Sequence, residues 1–198
     1  MAISSYALAQ NQGPVSADSA NPVVNDAGPE RIHLDVGGGL ALYNGSVAKA
    51  YNYDLGKLGF TFDFNVGWRV SDSTPLYLGL ETGVYYWGVT ATYSTGLVHD
   101  VSAYALPLLP RVTYQFEFSP KVHPYLSVSA GPSLYVETQN FSDTTADTSK
   151  TRIVFEALVH PGLNLNFGKH FGLNIDPKLG TLDGTFIFLS SVGALFRF

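Results

Sequence analysis

The residues in this chain that could do chemistry are five histidines and sixteen carboxylates, set among many hydroxyls, with no cysteine at all. Lack of cysteine removes thiolate nucleophiles, thiolate metal ligands and disulfides together. A hydrolytic triad needs a serine, a histidine base and an orienting acid converging on one point. His160, in "LVHPG", has no serine on its own strand face, His123 and His170 sit beside short turns, and His99 stands alone in a loop. No H-x-x-x-H pair and no carboxylate cluster has metal-ligand spacing, and "DTTADTSK" lacks the glycine and terminal glutamate of a calcium loop. The glycine run "VGGGL" has the composition of a phosphate cradle, but no helix follows it. The expectation is therefore no catalytic site, no metal and no cofactor.

The elements that carry these residues are strands. Aromatic residues make up 14% of the 198 residues and charged residues another 14%, where a water-facing domain carries about a quarter charged residues. Twenty glycines, 12 tyrosines and 13 phenylalanines describe a turn-rich, strand-rich chain. The net charge of -5 leaves no basic stripe to neutralise phosphates, which excludes a nucleic-acid partner. No run of about 18 apolar residues exists, which excludes a membrane-spanning helix.

From Arg31 onward the hydrophobic pattern has period two. In "LGFTFDFNVGWRV", Phe60, Phe62, Phe64, Val66 and Trp68 alternate with Thr61, Asp63, Asn65, Gly67 and Arg69. Seven further segments behave alike: "RIHLDVGGGLALY", "LYLGLETGVYYWG", "SAYALPLLPRVTYQF", "HPYLSVSAGPSLYVE", "RIVFEALVHPGLNLNF", "FGLNIDPKLG" and "TFIFLSSVGALFRF". Most exceed the usual globular strand and reach the nine to eleven or so tilted residues that cross a bilayer. Short links ("SDST", "EFSPKV", "GKH") join strands two and three, four and five, and six and seven. Long links, about Asn44 to Lys57, Val89 to Asp100 and Thr138 to Thr151, join one and two, three and four, and five and six. Short turns at one end and long loops at the other are the layout of a membrane barrel. Residues 10–30 have no apolar periodicity and read as a disordered linker. Residues 1–9, with Ala7-Leu8-Ala9 before Gln10, read as the remnant of a signal peptide, or as a tail that happens to contain A-x-A.

Strand parity then sorts the two faces. Inward fall His33, Asp35, Asp63, Arg69, Glu81, Arg111, His123, Glu156, His160, Asp176, Lys178 and Arg197. The acids Asp35, Asp63, Glu81, Glu156 and Asp176 nearly balance the bases Arg69, Arg111, Lys178 and Arg197, as a closed interior requires, since an unpaired charge there costs several kcal/mol. The expected role of these nine is a structural charge network filling the lumen, with Arg111 shared between Glu81 and Glu156. Outward fall Trp68, Tyr114, Phe116, Phe167, Phe171, Phe196 and Phe198 near the short turns and Tyr86 near the long loops, placed as two interfacial girdles. A soluble barrel would invert this arrangement, with apolar side chains inside around a ligand.

With "LPLLPRVTYQF", "HPYLSVSAG" and "VGALFRF" as its closest strand patterns, the chain resembles the small eight-stranded outer-membrane barrels of the OmpA transmembrane-domain, OmpX and opacity-protein type, over about residues 31–198. The resemblance implies an all-β, antiparallel, up-and-down transmembrane barrel, monomeric in outer-membrane lipid, with both termini periplasmic. It also implies that Phe196 and the terminal Phe198 are read by the barrel-insertion machinery. The His-x-Ser pattern of that group's lipid deacylase is not found. The function expected is a non-enzymatic outer-membrane protein that presents surface loops to a possible surface ligand, for adhesion or envelope integrity. The alternatives are a narrow channel for small or apolar solutes, a lipid-modifying enzyme and a soluble ligand-binding barrel. Pro107, Pro110, Pro132, Pro161 and Pro177 interrupt four of these strands, so bulges or strand ends are expected there.

Overall fold

The computed structural model describes residues 31–43, 58–92, 98–141 and 148–198. The signal and linker readings at residues 1–30, and the middles of the long loops, lie outside them. Eight strands follow in order: β1 Ile32–Tyr43, β2 Leu58–Ser71, β3 Thr74–Thr92, β4 Val98–Gln115, β5 Val122–Phe141, β6 Thr148–Asn166, β7 Phe171–Leu182 and β8 Thr185–Arg197. Each pairs antiparallel with its neighbour in sequence, and β1 pairs with β8, so the sheet closes on itself. Closure removes every free edge within the paired region. The carboxyl end completes the seam: the Phe198 carbonyl accepts from the Arg31 and Ile32 amides at 2.7 and 2.9 Å, and the Phe198 amide donates to the Ile32 carbonyl at 2.9 Å.

Alternation works as parity predicts. Phe60, Phe62, Trp68, Val70, Leu78, Leu108, Val112, Val128 and Phe186 face outward and are exposed, while Asp63, Glu81, Glu156, His160, Asp176 and Lys178 are wholly enclosed. A barrel wall that exposes phenylalanines and encloses Lys178 is built for an apolar surround. The outward aromatics cluster near the short turns, where Phe116 stacks on Phe118 at 6.0 Å and Phe171 meets Phe196 edge-on at 5.8 Å. Towards the loops, Phe60 stacks on Tyr86 at 5.0 Å.

Two findings depart from the sequence reading. The first concerns the prolines, which neither end a strand nor make a bulge. Pairing of β4 with β5 stops after Pro107↔Ser133 and resumes in the same register at Arg111↔Ser129, so Pro110 and Pro132 share one gap. Pairing of β6 with β7 breaks between Val159↔Leu179 and Leu163↔Ile175, so Pro161 and Pro177 share another. A missing N–H opens the ladder locally without needing an extra residue, and placing two prolines in one gap halves the number of openings. Pairing of β3 with β4 also breaks, between Thr82↔Leu108 and Tyr85↔Ala105, and there Thr82 Oγ1 donates to the Pro107 carbonyl at 2.9 Å. A register shift lies elsewhere, between Arg69 and Ser71, where β2 enters its turn.

The second finding is strand length. Strands β3 to β6 run 19, 18, 20 and 19 residues, whereas β1, β2, β7 and β8 run 12, 14, 12 and 13. The ends of the expected long loops are therefore strand. Of these extensions, "TQN" at 138–140 and "TSKT" at 148–151 have polar residues at successive positions, so they lack the alternation that reveals a half-apolar strand. Threonine and valine nonetheless favour extended backbone. Between β7 and β8 the connection is a two-residue turn, Asp183-Gly184, with φ of 52° and 73°, which are the values a tight hairpin demands.

Candidate functional site

The candidate site is the lumen, which is arranged in three tiers. Its centre is an ionic lattice. Lys178 Nζ donates to Glu81 Oε1 at 2.6 Å and lies 3.3 Å from Asp63 Oδ2 and 3.7 Å from Asp176 Oδ2. Arg111 Nη1 donates to Asp176 Oδ2 at 3.2 Å and lies 3.8 Å from Glu81 Oε2. The rest of its fork is taken up by Ser127 Oγ at 3.1 Å and Thr113 Oγ1 at 3.3 Å, with Tyr125 beneath the guanidinium. Ser191 Oγ donates to Asp63 Oδ2 at 2.9 Å. These partners come from β2, β3, β4, β5, β7 and β8, so the lattice ties opposite walls of the barrel together.

Towards the loops the lumen is closed by an apolar and aromatic plug that includes Tyr85, Trp87, Leu109, Leu158, Ile187 and Leu189. Towards the turns it opens into a polar cavity of about 50 Å³, bordered by Asp35, Asn65, Arg111, Tyr125, Asn164 and Asn174. Glycines make this density possible. Gly193 faces Gly37 across the β1–β8 seam, and a Cβ on Gly193 would lie 2.5 Å from the Val36 carbonyl and 2.7 Å from Asp35 Oδ1.

Of the nine residues expected to form one network, the structure gathers Asp63, Glu81, Arg111, Asp176 and Lys178. Four stand apart. Arg69 sits at the turn-side rim, 3.3 Å from Glu117 and hydrogen-bonded to the Ser71 and Thr74 carbonyls. Arg197 donates to the Gly168 carbonyl in the β6–β7 turn. Both come too close to a strand end for their side chains to reach the centre. Asp35 borders the cavity and accepts from Asn65 Nδ2 at 3.3 Å. Glu156 is not a partner of Arg111: it is wholly buried beside the Ser133 and Tyr85 hydroxyls, with neither carboxylate oxygen in hydrogen-bond geometry. It lies one inward position loopward of Leu158 on β6, above the height that Arg111 reaches.

His160 joins the lattice, a contact the sequence reading missed. Its Nε2 lies 2.9 Å from Ser129 Oγ and 3.3 Å from Glu81 Oε2, and its Nδ1 lies 3.2 Å from Asp176 Oδ1. The serine comes from the neighbouring strand, where Ser129 pairs with Leu158, so inspecting β6 alone could not find it. Serine, histidine and aspartate stand in the order of a hydrolytic triad. Ser129 is 1% exposed and does not border the turn-side cavity, so its hydroxyl is walled off from any acyl group. The same imidazole nitrogen is shared with Glu81, and both histidine nitrogens serve as links in the lattice. Among the described residues, no group of three or more His, Cys, Asp or Glu could hold a metal ion.

Comparison with known proteins bears on this architecture. The model of the outer membrane protein beta-barrel domain matches residues 19–185. Neisserial surface protein A is 16% identical, with a TM-score of 0.54 over 84% of this chain and 97% of its own. Ail, the attachment invasion locus protein of Yersinia pestis, is 16% identical, with a TM-score of 0.54 over 86% and 100%. The N-terminal β-barrel domain of Pseudomonas aeruginosa OprF is 14% identical, with a TM-score of 0.51 over 86% and 99%. At these identities the likeness is one of fold. No curated protein matches by sequence. An eight-stranded closed barrel, lipid-facing outside and charge-filled inside, and a family match over most of the chain lead to one assignment: this protein belongs to the outer-membrane β-barrel domain family and spans the bacterial outer membrane.

Proposed function

We propose that the protein is a non-enzymatic surface protein whose sealed barrel serves as an anchor for a binding surface outside the membrane. The observation that carries this reading is the inequality of the strands. Nine to eleven or so tilted residues cross the bilayer, and β1, β2, β7 and β8 have little more. Strands β3 to β6 each continue for several residues past the level of the Phe60–Tyr86 stack or of the Asp183-Gly184 turn. At about 3.3 Å per residue, six further residues add roughly 20 Å of strand. A rigid four-stranded sheet is thus held clear of the headgroups, with Asp100, Asn140, Ser149 and Thr151 exposed on it. The names of two similar structures, a surface protein and an attachment invasion locus protein, agree with this reading.

In this arrangement both termini are periplasmic, the barrel acts as a monomer, and the side chains of Phe196 and Phe198 mark the last strand for insertion. A channel is the weaker reading, because the turn-side cavity ends at Arg111 and the apolar plug lies beyond the lattice. The test is to replace residues 139–150 by a tight two-residue turn. The trimmed protein should still fold and reach the surface while losing adherence of expressing cells to host-cell or matrix surfaces. Adherence equal to the parent's, at equal surface level, would refute the assignment.

A further inference from the structure

The walls of the turn-side cavity hold oxygen atoms without a hydrogen-bond partner, as Asp63 Oδ1 and the Glu156 carboxylate do higher in the lumen, but here they border open space. Asp35 Oδ1, Asn65 Oδ1 and Asn174 Oδ1 all lack a hydrogen-bond partner. The three residues are 6%, 7% and 4% exposed and border the same cavity. Their orientations are fixed by what their other atoms do. Asn65 Nδ2 donates to Asp35 Oδ2 at 3.3 Å, which turns the Asn65 carbonyl oxygen away from the carboxylate. Asn174 Nδ2 donates to Asn164 Oδ1 at 2.7 Å and to the Tyr125 hydroxyl at 3.0 Å, and flipping its amide would set two oxygens against each other at Asn164. Two amide oxygens and one carboxylate oxygen are left over, all acceptors. Buried acceptors are normally paired, and three in one cavity call for something that supplies positive charge or protons.

Charge bookkeeping across the lumen points the same way. Asp35, Asp63, Glu81, Glu156 and Asp176 are buried, and the lysine and arginines buried with them are Arg111 and Lys178, both engaged in the central lattice, and Arg197 near the turns, so five acids face three bases. Arg69 and Arg197 are engaged at the rim.

We infer that the cavity is a binding site for a small monovalent cation of sodium's size, held by Asp35, Asn65 and Asn174 with water completing its shell. Oxygen-only donors suit a hard cation and not a transition metal. A single carboxylate matches one positive charge, whereas calcium and magnesium sites rely on more. A volume of about 50 Å³ holds an ion with a few waters, one water needing about 10–15 Å³ on this measure. Arg111 borders the cavity too, but its charge is already shared by Asp176 and Glu81. The ion would brace the turn-side half of the barrel, and the inference does not depend on the surface reading above.

The experiment is urea unfolding of the full chain, refolded in non-ionic micelles, with sodium chloride exchanged for choline chloride at constant ionic strength. For a single site, each tenfold rise in sodium above its dissociation constant should raise the folded-to-unfolded ratio about tenfold. Asp35→Asn should abolish the sodium dependence, and Asp72→Asn, in the exposed β2–β3 turn, should retain it. Equal unfolding in sodium and choline at every concentration would overturn the site and leave the cavity to water alone. Sodium dependence that persists in Asp35→Asn would overturn it as well. If Asp35→Asn does not refold, the slope of the wild-type sodium series decides.

Discussion

The enclosed middle of the barrel and the sheet that stands above it are made from the same strands, yet they obey opposite rules. Around Arg111 every position is fixed by its neighbours: carboxylates on three strands share two cations, and glycines are needed because even a methyl group has no room. On the upper parts of β5 and β6, at Asn140, Ser149, Lys150 and Thr151, side chains are exposed. One region spends its sequence on internal fit, and the other leaves it free for something outside. What separates them is solvent: inside the barrel an unpaired charge is costly, whereas above the membrane water satisfies whatever the protein does not.

The sharpest way to break this contrast is Arg111→Ala. Removing the cation leaves Asp176 and Glu81 to share Lys178 alone, and breaking a buried pair from one side costs about 3–5 kcal/mol. Urea unfolding in micelles should show a loss of that size, whereas an Arg111→Ala variant as stable as its parent would mean that the lattice is not what holds the walls together. Next comes Gly193→Ala, whose Cβ would press on the Val36 carbonyl and Asp35. Overpacking of this kind costs about 1–3 kcal/mol, and the same unfolding measurement would read it.

Lys150→Ala, on the protruding part of β6, should change stability by no more than about 0.5 kcal/mol, as exposed positions do. A larger loss would show that the sheet above the membrane is itself part of the folding unit. The smallest effect on folding is expected for Phe198→Ala. The backbone bonds to Arg31 and Ile32 that close the seam survive this change, and only a 64% exposed side chain is lost. Refolding in micelles should match the parent, while the amount inserted in cells falls. Normal insertion would remove Phe198 as the recognition mark.

Much of this was legible in the sequence, and the illegible parts have definite causes. Parity placed Asp63, Glu81, Arg111, Asp176 and Lys178 inside and Phe60, Trp68 and Val112 outside, because period-two alternation is the direct imprint of a wall with unlike sides. Parity carries no height, however. It could not tell that Arg69 and Arg197 belong to the rim, or that Glu156 lies above the reach of Arg111, since height depends on the stagger between strands. Nor does it see across strands, and so the Ser129–His160 contact was missed. The upper strands are not legible as strands because stretches such as "TQN" and "TSKT" are polar at successive positions and leave no alternation. The prolines were misjudged because pairing Pro110 with Pro132, and Pro161 with Pro177, in shared gaps is a property of register and not of either strand.

Under the proposed function this lumen is sealed, by the ionic lattice at its middle and by the Trp87–Leu158–Ile187 plug towards the loops. The most direct test is the conductance of the refolded full chain in planar lipid bilayers. A sealed barrel gives no steady current at any modest voltage, in sodium or in choline chloride. A stable, ion-selective current carried by the wild-type protein would contradict that claim and make the barrel a channel.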